Sequence, residues 1–96
     1  MKSLVIVGKR WFQKTYGNTY HTVRIIVDGK CVQNVGRTYG YGTQYEQTAA
    51  AWLEENGYIK LTRYGNGGSE ALWQCMERMK VSYHSEAIDV ERKKDL

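Results

Sequence analysis

The chain has 96 residues, 42% of them apolar and 25% charged, a balance that describes one globular domain and excludes a disordered chain. A net charge of +4 and a pI near 9.1 favour anionic partners and exclude an acidic mimic of DNA, although the basic residues are not gathered into one run. Cys31 and Cys75, with His21 and His84, show no ligand spacing, so no metal and no cofactor is expected, and the expected setting is a reduced, cytoplasmic one.

The run Leu4-Val5-Ile6-Val7 has the length of a strand, too short for the apolar part of a signal peptide or for a membrane span. Residues 3–8 therefore open the first strand, with Gly8 as a bend or bulge. Gly17-Asn18 fits a two-residue hairpin turn with glycine first, and Asp28-Gly29 fits a type I′ turn. Between them lie mostly β-branched and aromatic residues, so residues 9–36 are predicted to form a three-stranded antiparallel meander. The turns set a register. Tyr16 opposite Thr19 places Phe12 opposite Val23 and Trp11 opposite Arg24; Val27 opposite Lys30 places Ile25 opposite Val32 and Arg24 opposite Gln33. Alternation then puts Phe12, Val23, Ile25, Val27 and Val32 on a core-facing side. Lys9, Trp11, Gln13, Tyr20, Thr22, Arg24 and Gln33 fall on the other side, with Ile26, Cys31 and Val35.

The third strand breaks at Thr38-Tyr39-Gly40-Tyr41-Gly42, and Thr43-x-x-Glu46 reads as a capping box. Tyr45, Ala49, Trp52 and Leu53 form one apolar stripe of a helix that Asn56-Gly57 ends. Tyr58 to Arg63 reads as a short extended return. Ser69 reads as the N-cap of a second helix, with Ala71, Leu72, Cys75, Met76 and Met79 on its apolar side. Val81 and Tyr83 alternate as a strand, the phase slips at His84-Ser85-Glu86, and Ile88 and Val90 resume it. Residues 91–96 form a charged, fraying tail. The expected fold is α+β: an antiparallel meander sheet of three to five strands with two helices packed on one face, in a single domain spanning 1–96. A chain this short buries a modest share of its surface, which favours a homo-oligomer.

Two features could bind a ligand. On the side of the sheet away from the helices, Lys9, Trp11, Arg24 and Gln33 make a cationic and aromatic platform on which a base could stack. The Trp11–Arg24 pair also reads as a cross-strand contact that steadies the sheet, and an exposed tryptophan suits a subunit interface as well. The second feature is a pair of tyrosine–glycine loops before the helices, Tyr39-Gly40-Tyr41-Gly42 and Tyr64-Gly65-Asn66-Gly67-Gly68. Glycines let backbone N–H groups converge near a helix start, so Arg63, Tyr64, Gly65, Asn66, Gly67, Gly68 and Ser69 form a candidate anion site, with Arg37, Tyr39 and Tyr41 at the other loop. Ordinary loop geometry explains the same glycines, and neither loop has the Gly-Lys-Ser/Thr ending of a nucleotide-triphosphate loop. Catalysis has no support: neither histidine stands in a recognised arrangement with a nucleophile or carboxylate, and the chain is not expected to be an enzyme.

The segment His21-Thr22-Val23-Arg24-Ile25-Ile26-Val27-Asp28-Gly29-Lys30, followed by Ala49-Ala50-Ala51, resembles the second half of a double-stranded-RNA-binding domain. The basic cluster that the family carries at the helix start is replaced here by Thr43, Gln44, Tyr45 and Glu46, and the family's first helix has no counterpart. The stretch from Arg10 to Val23, with its Trp-Phe-x-Lys-x-Tyr-Gly-Asn-Thr-Tyr-His core and the Tyr-Gly-Tyr-Gly loop beyond it, resembles small accessory proteins of tailed bacteriophages. That resemblance implies a non-enzymatic counter-defence protein in the cytoplasm of a bacterial host, gripping an anionic nucleotide-like ligand. Two other readings stand beside it: an RNA- or DNA-binding module using the sheet face, and a protein inhibitor whose Trp and Tyr residues anchor on a host partner.

Overall fold

The computed structural model describes residues 1–96. Strands β1 (Ser3–Gln13), β2 (Asn18–Val27) and β3 (Lys30–Tyr39) come first, then helices α1 (Gln44–Glu55) and α2 (Leu72–Arg78), strand β4 (Ser82–Val90) and a 3-10 turn at Lys93–Asp95. The sheet order is β3-β2-β1-β4. The first three strands form the expected antiparallel meander, but β4 runs parallel to β1, so the sheet is mixed rather than purely antiparallel. The physical reason is economy of edges. The hairpin to β2 occupies one side of β1, and the chain returns from α2 to the end where β1 begins, as the Ser82 N–H to Lys2 C=O bond of 3.0 Å shows. The extended return joins no strand: Ile59 is buried, and Arg63 only bridges Ser69.

The register departs from expectation in two places. Trp11 stands opposite Tyr20 rather than Arg24, and Phe12 opposite Thr19 rather than Val23. The first turn is not the two-residue kind: Lys14 to Gly17 form a longer loop in which Gly17, at φ +68°, closes a 2.8 Å bond from its N–H to the Gln13 carbonyl. The slip is four residues, an even number, so the side chains of β1 and β2 keep their predicted faces. Asp28 and Gly29 both have positive φ, as a type I′ turn requires. Beyond that turn, bulges at Ile25/Ile26 and His21/Val23 each move the pairing by one residue. Gln33 therefore faces Ile25 and Val35 faces Val23, on the helix side, while Asn34 takes the place beside Arg24.

Both helices lie on one face of the sheet and cover Leu4, Ile6, Val23 and Ile25 with Ala49, Leu53, Leu72, Cys75 and Met76. Each of the large aliphatic side chains among them contributes about 1.5–3 kcal/mol when fully buried. Phe12 shares that face but lies beyond the reach of the helices and is 54% exposed. Gly8 is neither a bend nor a bulge. β1 pairs through it on both sides, and a Cβ there would stand 2.5 Å from the Tyr45 ring, so glycine is what allows α1 to settle on the sheet. The helix ends differ in how they are satisfied. No capping box forms at Thr43, because Glu46 turns instead to Ser85 at 2.6 Å. At the other end, Tyr58 N–H reaches Leu53 C=O and Gly57 N–H reaches Glu54 C=O, a Schellman ending closed by the Trp52–Tyr58 stack. α2 starts at Leu72 rather than after Ser69, and Gln74 reaches back to the Ala71 N–H. β4 is continuous through His84-Ser85-Glu86, with no slip of phase.

Candidate nucleic-acid interface

On the face without helices, three rings line up across three strands. Trp11 and Tyr20, opposite one another on the two central strands, are near-parallel with centroids 6.0 Å apart. Tyr39, opposite Tyr20 on β3, meets it edge-on at 5.8 Å and is 61% exposed. Two residues further along each strand the same face presents Lys9, Thr22 and Arg37, and beyond them Val7, Arg24 and Asn34. Arg24 donates only a 3.4 Å bond to Asn34 Oδ1. The tail, expected to fray, makes one 3-10 turn closed by Arg92–Asp95, and Leu96 comes to lie over Thr22. Two hollows result, of about 440 and 680 Å³, which share Thr22, Gly36 and Leu96. Lys9 and Arg24 line the first, and Arg37, Lys93 and Lys94 the second. None of these five cations is paired with a carboxylate.

The glycine-loop candidates sit on the helix side. Arg63 is held by Glu54 and also donates to the Leu61 carbonyl. Within the loop, Tyr64 N–H bonds Gly68 C=O, Gly67 N–H bonds Tyr64 C=O and Gly68 N–H bonds Asn66 Oδ1, so these three donors are turned inward. The cleft between this loop and α1, about 740 Å³, is lined by Gly67, Gly68, Ser69 and Trp73 but also by Glu46 and Glu54. Arg63 holds the Glu54 carboxyl below its ordinary pKa, which keeps that negative charge in place. Tyr39 and Tyr41 border a neighbouring hollow that shares Thr43 and Gln47 with the cleft. Arg37 is not part of it; Arg10 takes the position by the loop, bonding Gly42 C=O and Asp89. His21 is buried, its Nδ1 3.2 Å from Gly40 C=O and its Nε2 2.8 Å from Thr48 Oγ1. Since a carbonyl only accepts, Nδ1 donates to Gly40, and with the Nε2 bond to the Thr48 hydroxyl the ring ties β2 to α1.

Sequence reasoning places Lys9, Trp11 and Arg24 on this face and misses the aromatic row, because the row depends on the longer first turn and on the second bulge. Lys93 and Lys94 escape it altogether, since nothing in a charged terminal run says where the run will lie. No three His, Cys, Asp or Glu side chains cluster as metal ligands, and no helix is long and apolar enough to cross a membrane. Comparison with family profiles, with characterised proteins and with solved structures gives no match to this chain.

Proposed function

We propose that the protein is a non-enzymatic binding module that takes single-stranded nucleic acid on its open sheet face. The observation that carries this reading is the juxtaposition of the Trp11–Tyr20–Tyr39 row with Lys9, Arg24, Arg37, Lys93 and Lys94, none of which has a carboxylate partner. Rings accept bases of any identity by stacking, and unpaired cations attract phosphate without reading sequence. The arrangement therefore suits binding with little sequence preference. In the phage setting that the sequence resemblance implies, such a module would act on a nucleic-acid intermediate or shield one from a host activity. A small anionic nucleotide at Arg63 and residues 64–69 is less well supported, because Glu54 occupies that guanidinium and two glutamates line the adjoining cleft.

Anisotropy of a labelled oligothymidylate, titrated with the protein at several salt concentrations, tests the reading. Log affinity should fall linearly with log salt, with a slope of about −0.7 for each phosphate contacted on a single strand. Trp11→Ala should cost about 1–3 kcal/mol of affinity, the usual worth of one stacked base. Absence of binding at low salt, or equal affinity for wild type and Trp11→Ala, would remove the open face from consideration.

A further inference from the structure

The two edges of the sheet are treated differently. β3 is blunted in the way that edge strands of monomers usually are: two bulges break its pairing within ten residues, and Lys30 and Arg37 stand along it. β4 has neither a bulge nor a lysine or arginine, and its only charges are the carboxylates of Glu86 and Asp89. It runs nine residues in one unbroken register with β1, without proline. The Ser82 N–H points to β1, so residues 82, 84, 86, 88 and 90 use their backbone groups there, and Tyr83, Ser85, Ala87 and Asp89 turn theirs outward. Apart from the β1 ladder, only the Ser82 N–H bond to Lys2 involves the backbone of this strand. A flat edge with a row of free donors and acceptors is a template for another strand.

We propose that a second copy of this chain pairs with β4, antiparallel and edge to edge, about a two-fold axis at Ser85. Two-fold symmetry across a sheet brings together residues of the same face, so only self-pairings centred on one residue are allowed. Centring on Glu86 opposes two carboxylates, and centring on Ala87 leaves Glu86 facing Ile88 of the second copy. Centring on Ser85 places His84 of each copy against Glu86 of the other on the open face, and Tyr83 against Ala87 on the helix face, with residues 82–88 of both copies in the overlap. Of the three, only this choice sets a hydrogen-bond donor, the imidazole N–H, against a carboxylate. The axis stands perpendicular to the sheet, so two four-stranded sheets become one of eight, and both Trp11 rows lie on the same side. The pairing does not depend on the nucleic-acid reading.

Light scattering and sedimentation from micromolar to millimolar concentration test it. The expected particle has twice the 11.1 kDa mass of the chain. Ala87→Pro removes an N–H that β1 does not use and should give a monomer with an unchanged circular dichroism spectrum. A charge exchange covers the case in which proline disturbs the strand. His84→Glu alone and Glu86→Lys alone should each weaken dimerisation several-fold, and the double variant should recover it, since the exchange sets opposite charges against one another at both symmetry-related places. Three results overturn the proposal: a wild type that stays monomeric, a folded Ala87→Pro that still dimerises, or a double variant no better than the singles. Affinity of Ala87→Pro for the oligonucleotide is measured separately, and its retention or loss bears on the open face alone.

Discussion

The two faces of one sheet use charge in opposite ways. On the helix side the guanidinium groups are spoken for: Arg78 bonds Glu70, Arg63 bonds Glu54 and Arg10 bonds Asp89. On the open side Lys9, Arg24, Arg37, Lys93 and Lys94 face water without a carboxylate partner. The difference separates the side chains that hold the fold from those on which the proposed binding rests, and such a division can be broken by mutation in either direction.

The largest expected effect lies under the helices. Leu53 is wholly buried at the centre of the α1 contact, and Leu53→Ala should cost about 2–5 kcal/mol through lost burial and the cavity left behind. For a domain of this size each kcal/mol lowers the melting temperature by about 4–8 °C. Oligonucleotide affinity of the folded fraction should be unchanged. Trp11→Ala should show the reverse pattern, with a stability loss within about 1 kcal/mol, the scale of one cross-strand pair. Equal effects of the two variants on stability and on affinity would show that the faces are not independent.

Acid separates the faces next. Glu70 is buried, accepts the Thr62 N–H at 3.0 Å and is gripped by Arg78 at 2.6 Å, and these bonds, the Arg78 ones foremost, hold its carboxyl down to about 2. A carboxylate whose folded pKa lies below the unfolded value stabilises the fold above the unfolded value and loses that contribution as pH falls. Wild-type stability should therefore decline as pH drops from 4.5 toward 2, and Glu70→Gln, weaker at neutral pH, should decline less over the same window. Urea midpoints at the two ends of the window measure it; parallel declines would mean that Glu70 does not govern acid sensitivity.

How much of this is legible in the sequence follows from the range of each interaction. The strands of the meander, the type I′ turn at Asp28-Gly29, the stripe Tyr45–Ala49–Leu53 and the Asn56-Gly57 helix end are local, and local chemistry suffices to place them. The face of each side chain on β1 and β2 also survives, because the slip at the first turn is even. What stays hidden is non-local. Glycine serves equally to begin a two-residue turn or to close a longer one, and Gly17 does the second. Bulges in β3 leave no mark in composition, so simple alternation puts Gln33 on the wrong face. The parallel entry of β4 depends on where α2 releases the chain, and Glu46 reads as a capping residue until a strand about forty residues later supplies Ser85.

That same Ser85 region carries the smallest effect. Tyr45 Oη lies 2.9 Å from Ser85 Oγ, which in turn donates to Glu46, while the neighbouring Tyr83 hydroxyl is enclosed with no hydrogen-bond partner. Burial, with the Glu46 charge adding to it, pushes the Tyr83 phenol up to about 12. A folded pKa above the unfolded one means that the native state keeps its proton longer, so stability present below 10 is lost as pH rises toward 12. Tyr83→Phe deletes the enclosed hydroxyl without stranding a partner. At neutral pH it should match wild type or exceed it by about 1 kcal/mol. Its advantage should then widen across the alkaline window, since phenylalanine has no proton to lose. Denaturant midpoints of the two proteins, taken side by side from neutral pH to pH 12, decide the matter. A constant difference across that range would place the Tyr83 hydroxyl in contact with water, and the α1–β4 seam would then be wetter than its packing implies.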